Sequence, residues 1–175
     1  EYGGLHYAIG LDKNNLHHSQ TLTVVPLRSS DNRTVHPRDV DLGSELHNRL
    51  YQKNNSLIDE VTIELEKNTN LLESLVRANN KIQATNSDVT YLNNVISEIQ
   101  KLNHQLNDQL LQLFKQRGEI GLIKNGSIAK IEQITTISKQ RIYIPKNKND
   151  LLYGISFSKE AMEKINDKIK ELYIF

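Results

Sequence analysis

From Leu50 to Leu113 the apolar residues fall on a seven-residue repeat. With Val89 at position a of a heptad lettered a to g, the a positions that follow are Ile96, Asn103 and Leu110. The d positions are Leu92, Ile99, Leu106 and Leu113. Run backwards, the same register gives Ile82, Leu75, Asn68 and Val61 at a, and Ala78, Leu71, Leu57 and Leu50 at d. A spacing of ~3.5 residues held this far marks a coiled-coil helix, because a globular helix drifts off it. The stretch from Ser44 to Arg117 also lacks Pro and Gly, the strongest helix interrupters. The predicted fold class is mainly α: a long coiled-coil helix, with short β-strands at both ends and a C-terminal helix. An unbroken helix of this kind would be roughly 100 Å long at ~1.5 Å per residue. It cannot stand alone in water, so its seam must bury against another helix.

Two polar stretches offer places to fold back. Lys53-Asn54-Asn55-Ser56 is one; Ala84-Thr85-Asn86-Ser87-Asp88, with Ser87 as an N-cap, is the better one. A break there would leave helices near 44–84 and 88–117 as an antiparallel hairpin. The heptad phase is the same on both sides, which an uninterrupted helix explains more simply. The continuous helix is therefore the expectation, with a bend or hairpin near 85–88 as the alternative.

The seam residues expected to bind partners are Val61, Leu65, Leu71, Leu72, Leu75, Ile82, Val89, Leu92, Ile96, Ile99, Asn103, Leu106, Leu110 and Leu113. The apolar stripe is wider than a two-strand seam. It extends to e positions Ile58, Leu65 and Leu72 in the first half, and to g positions Val95 and Leu102 in the second. No charge stands at e or g from Asn93 to Gln109, so ion pairs do not select a partner there. A seam widened on different sides suits several neighbours, and favours a heteromeric assembly over a lone homodimer. Asn103, among Ile99, Leu106 and Leu110, reads as a register-fixing amide, and Glu64 at d as an exposed local defect.

Outside the coil the pattern changes to short alternating runs. Leu5 to Leu11 and Thr21 to Leu27 read as strands, and 28–40 as loop. Glu119 to Lys124, followed by Asn125-Gly126, reads as the first arm of a hairpin. Residues 127–138 are ambiguous, and Arg141 to Ile144 and Leu152 to Phe157 are further strand candidates. The last helix is well marked: Ser158 as N-cap, Phe157 placed to staple onto Met162, and Met162, Ile165, Ile169 and Leu172 at 3-4-3 spacing. Three regions result: 1–40 with short strands and loop, 41–118 as coiled coil, and 119–175 as a small α/β head with its helix. In element order this plan is similar to the stalk-and-head subunits of kinetochore-type assemblies, whose heads are often RWD-like.

Composition narrows the chemistry. Lys and Arg number 22 against 21 Asp and Glu, with no basic block, so nucleic acid is not an expected partner. The absence of Cys removes disulfides, thiolate chemistry and Cys-based zinc sites. No apolar run is long enough to cross a bilayer, and no basic region followed by an apolar run marks a signal peptide. The sequence carries no P-loop, dinucleotide fingerprint, HExxH or GxSxG. His17-His18 reads as a solvated loop, and Asp39 and Asp41 as residues leading into the helix. No catalytic residue, metal site or cofactor is expected.

The expected function is that of a non-enzymatic coiled-coil scaffold or tethering subunit of a multi-protein complex. It would be intracellular, in cytoplasm or nucleus. One alternative is a homo-oligomeric extracellular or viral-type stalk, whose three glycosylation patterns (Asn32, Asn54 and Asn125) would carry glycan. The other is an enzyme or nucleic-acid factor with a coiled-coil arm.

Overall fold

The computed structural model describes residues 6–12, 19–30, 34–83, 90–143, 145 and 147–174. Its elements are β1 (Ala8–Gly10), β2 (Thr21–Ser29), β3 (Val40–Asp41), α1 (Glu45–Gln83), α2 (Thr90–Gly121), β4 (Ser127–Ala129), β5 (Thr135–Ser138) and α3 (Lys159–Tyr173). Short 3₁₀ turns at Ile131–Gln133 and Lys139–Arg141 flank β5. The chain forms two compact units, residues 1–52 with 119–175, and residues 53–118.

The first unit is organised by β2. All of its pairings are antiparallel: β1 on one edge, β5 along Thr21 to Val24, and β4 along Leu27 to Ser29. The partner changes at Pro26, which has no N–H to give to a ladder. Its carbonyl instead accepts from the Lys130 amide at 2.9 Å, and the chain then leaves the sheet through the first 3₁₀ turn. β3 adds to the far edge of β4. Val25, Leu27 and Ala129 from this sheet, with Ile131 of the first 3₁₀ turn, bury with Leu46 and Leu50 of α1 and with Ile120 of α2. Ala161 and Ile165 of α3 join the same core, and Met162, Ile169 and Leu172 pack at its margin.

The C-terminal helix begins as its sequence dictates, with Ser158 Oγ accepting from the Ala161 amide at 3.2 Å. In the same unit, Gly126 has φ +110, and a Cβ there would lie 2.9 Å from the Gly43 carbonyl oxygen. Only glycine brings these two loops so close; the Ser127 amide then donates to Gly43 O at 2.9 Å.

Several sequence expectations are corrected. Glu119 to Lys124 is no hairpin arm: α2 continues to Gly121, and Ile120 and Ile123 bury at helical spacing. Gly126 does open β4, but from a helix end. Arg141 to Tyr143 and Leu152 to Phe157 form no strand; Arg141 ends a 3₁₀ turn, and Ile144 lies outside the described residues. Of the stretch 28–40 read as loop, Arg28 and Ser29 continue β2 and Val40 begins β3. Asp39 turns into the protein instead of leading into the helix, whereas Asp41 Oδ1 does accept from the Gly43 amide at 2.8 Å just before α1.

The second unit is an antiparallel hairpin of α1 and α2, so the favoured single continuous helix is not what forms. The physical reason is that equal heptad phase in two arms serves folding back as well as continuity. Each arm presents its own a and d rows, and closing a short loop brings them together more cheaply than recruiting a second chain. The proposed N-cap Ser87 and the seam residue Val89 lie outside the described residues.

Candidate helical interface

Along α2 the inward face keeps the heptad. Leu92, Ile96, Ile99, Asn103 and Leu110 are half-buried, and Leu106 and Leu113 are buried. Along α1 it does not. The covered a, d and e residues run Asn54, Leu57, Ile58, Val61, Leu65, Asn68, Leu72, Leu75, Asn79, so d and e are both covered at Leu57 and Ile58, and e without d after Val61. The step is forced at Glu64, a carboxylate at d that stays exposed while its apolar neighbour Leu65 turns in. A straight helix drifts in this sense against a 3.5 repeat.

Of the residues named in sequence, Val61, Leu106 and Leu113 meet in one buried cluster with Leu57, and Leu65 and Leu110 pack on it. Leu71, at a displaced d position, is 49 % exposed and stands outside the hairpin's own contact; Ile82, at a, is 37 % exposed. The four buried apolar residues of the hairpin all lie in its half near residues 53 and 118. Beyond Val61 on α1 and before Leu106 on α2, Asn79, 8 % exposed, is the single buried residue among the described residues.

Amides mark the seam. Asn54 is wholly buried and its Nδ2 donates to the Leu113 carbonyl at 3.0 Å. Asn79 Nδ2 donates to Asn93 Oδ1 at 2.8 Å. Both of these last residues are at e, which fixes the lateral order. In an antiparallel pair the e rows lie on one side of the seam and the g rows on the other.

That order separates two faces of different chemistry. On the g side, Leu71 of α1 and Leu102 of α2 are exposed apolar residues. Charges border them: Lys67 and Lys81 at g, and Glu64 at d. On the e side, positions b and e carry no Lys, Arg, Asp or Glu anywhere in 53–83 or 90–118. The charges of these helices sit at c, f and g, except Glu64 at d and Arg117 at a. This segregation was visible in the sequence, but it has meaning only once the hairpin puts e beside e. A shallow groove lined by Leu65, Glu66, Thr69 and Asn70 lies along the α1 flank.

The first unit holds its own polar contacts. Ser158 donates from its amide and Oγ to the Glu45 carboxylate at 2.5 and 2.8 Å, and Arg49 Nε donates to it at 2.9 Å. Burial pushes the Glu45 carboxyl up, but the Ser158 and Arg49 contacts outweigh it and hold the group below its ordinary value. Lys130 Nζ reaches Asp39 Oδ2 at 2.5 Å, with the Asp39 side chain 1 % exposed. Burial, then Glu119, push the Tyr7 phenol up. These contacts tie the starts of helices to the sheet; they do not converge on a shared cavity. Among the described residues no three His, Asp or Glu side chains gather as a metal site, and no helix is long and apolar enough to cross a membrane. His17 and His18 lie outside the described residues.

Comparison with protein-family models, with curated proteins and with solved structures finds no match to any of them.

Proposed function

We propose that this chain is a non-enzymatic scaffold or tethering subunit of a multi-protein complex, holding partner helices against its helical hairpin. The supporting observation is the incompletely covered seam. Leu71 and Leu102 remain exposed on the g side, at the stretch where no apolar side chain of the hairpin is fully buried. A two-helix hairpin shields only one side of each apolar stripe, and a further helix completes the bundle. Apolar residues with charges at their margin have the layout of an interface core and rim. The bordering Glu64, Lys67 and Lys81 would set the register of a heteromeric partner by ion pairing. An intracellular setting, in cytoplasm or nucleus, fits a chain without cysteine.

The experiment is stoichiometric co-purification of the tagged full chain from its source, compared with Leu71→Glu/Leu102→Glu. Both residues stand outside the hairpin's own contact, so helicity should persist while the partner chains are lost. Retention of the same partners at the same ratio would sink the reading.

A further inference from the structure

The two halves of the hairpin are closed to different degrees. In the inner half, Leu57, Val61, Leu106 and Leu113 are buried together, with Ile58, Leu65 and Leu110 against them. In the outer half, made of 66–83 of α1 and 90–105 of α2, Leu72, Leu75, Leu92, Ile96 and Ile99 are only half-buried. The outer seam also carries the amides of Asn68, Asn79 and Asn103. Asn79 Nδ2 bonds to Asn93, but Asn68 Nδ2, Asn79 Oδ1 and Asn103 Oδ1 are enclosed without a hydrogen-bond partner in the protein. The inner half has such atoms too, Asn54 Oδ1 and Asn55 Oδ1, but four buried aliphatic side chains offset them there. Enclosed unpaired amide atoms weaken a seam, and a half-buried leucine gains only part of its transfer free energy.

We propose that the outer half opens as one cooperative block while the inner half stays closed, and that a bound partner helix is what shuts it. The second clause rests on the reading of the g-side strip as the partner site. Stability within a fold is set locally by buried apolar contact, so the half without a buried apolar side chain is the half that opens first. The block is cooperative because each arm is the other's cover. A released arm of this length is marginal as an isolated helix in water, so separation of the arms and loss of their helical bonds coincide. The coupling to a partner follows from position. Leu71, 49 % exposed, and Leu102, 40 % exposed, both lie in the outer half, one on each helix. A helix laid on both touches α1 and α2 together, on a surface that exists only when the arms are closed. A ligand that binds one state alone shifts the equilibrium toward it. Partner capture and closure of the outer half are then one linked event.

The test is hydrogen exchange of the full chain, read by mass spectrometry, first alone and then in the complex co-purified from its source. In the free chain, amides of 66–80 and 94–103 should share one opening constant, about a hundredfold larger than that of 54–61 and 106–113. The first amides of α2 lack intrahelical acceptors in any case and do not count. Ile99→Ala, on α2, should raise the constant about tenfold in both arms and leave the inner segments unchanged. Asn68→Leu/Asn103→Leu should lower it about tenfold in both arms, by removing two enclosed amides. In the complex, the outer half should be protected as well as the inner. Equal protection of the two halves in the free chain overturns the proposal. So does a smooth gradient along each arm, or an Ile99→Ala effect confined to α2, since either is simple fraying of helix ends. An outer half that stays open in the complex overturns the coupling. Partners retained by Leu71→Glu/Leu102→Glu would remove the partner reading and leave the free-chain block standing. A uniformly protected free chain would do the reverse.

Discussion

Lys130→Met should destabilise the first unit by more than any exposed ion pair could, and the reason lies at Asp39. The Asp39 side chain is 1 % exposed, its Oδ2 meets Lys130 Nζ at 2.5 Å, and its Oδ1 accepts no hydrogen bond from the protein. Removing the ammonium leaves a carboxylate in the interior without its counter-ion, a defect that costs about 3–5 kcal/mol when both partners are fully enclosed. The Lys130 side chain keeps 21 % of its exposure, so water already reaches the pair, and about 2–3 kcal/mol is the better figure. Asp39→Asn is milder, because the orphaned ammonium can extend to solvent; a cost of about 1–2 kcal/mol follows from the lost charge-assisted bond. The double variant should cost little more than Asp39→Asn alone, since the neutral amide no longer needs a cation. The cycle then returns a coupling of ~2 kcal/mol. The assay is urea unfolding of the four proteins at neutral pH, repeated at high salt. Arg38→Met sets the baseline, because its bond to Glu132 lies at the surface with side chains 60 % and 40 % exposed, and it should change little. A Lys130→Met cost below about 1 kcal/mol, or a coupling abolished by salt, would refute the claim that Asp39 is held away from solvent.

Three other outcomes can be checked by similar means. Glu45→Gln should weaken the unit by about 1–2 kcal/mol by loosening the bonds from Ser158 and Arg49. Since the folded Glu45 carboxyl lies below its ordinary value, its contribution is fully present above the unfolded carboxylate pKa and disappears as pH falls through the folded one. Parent and variant stability curves should therefore converge in acid. Gly126→Ala puts a Cβ 2.9 Å from Gly43 O at a φ of +110, and should cost about 1–3 kcal/mol or more in urea unfolding. Leu106→Ala opens a cavity in the hairpin cluster and should lower its melting transition by about 2–4 kcal/mol, whereas Leu122→Ala, 76 % exposed, should stay within about 0.5 kcal/mol of the parent.

What the sequence made legible follows from which forces act locally. The α3 start was readable because capping is decided within four residues, Ser158 to Ala161. β2 was readable from its own alternation, but its partners were not: β4 lies about a hundred residues away, and nothing in Ser127 to Ala129 names Leu27 to Ser29 as its mate. The same distance hid β3, which is two residues long and exists only because β4 offers an edge. The end of α2 was misread because Gly118, Gly121 and Gly126 suggested interruption. The burial of Ile120 and Ile123 outweighs roughly 1 kcal/mol of helix propensity per glycine.

The coil is the instructive case, because its periodicity was correct in one arm and displaced in the other. Heptad reading assumes that every d position is apolar. Glu64 violates this, and the helix answers by turning Leu65 inward and carrying Leu72 and Asn79 with it. That rotation of the inward row by one residue uncovers Leu71 on one side. On the other side it draws the e row toward α2, so that Asn79 reaches Asn93. One carboxylate at one seam position thus helps to leave Leu71 uncovered on the g-side strip on which the assembly reading rests. Glu64→Leu should then favour the d row again. Leu71 would compete with Leu72 for the seam, the Asn79 to Asn93 bond would lose its alignment, and the exposed g-side strip would shrink. The reading predicts weaker partner retention in that variant even though its hairpin gains apolar burial. Unchanged retention together with a more stable hairpin would mean that the row displacement has another cause.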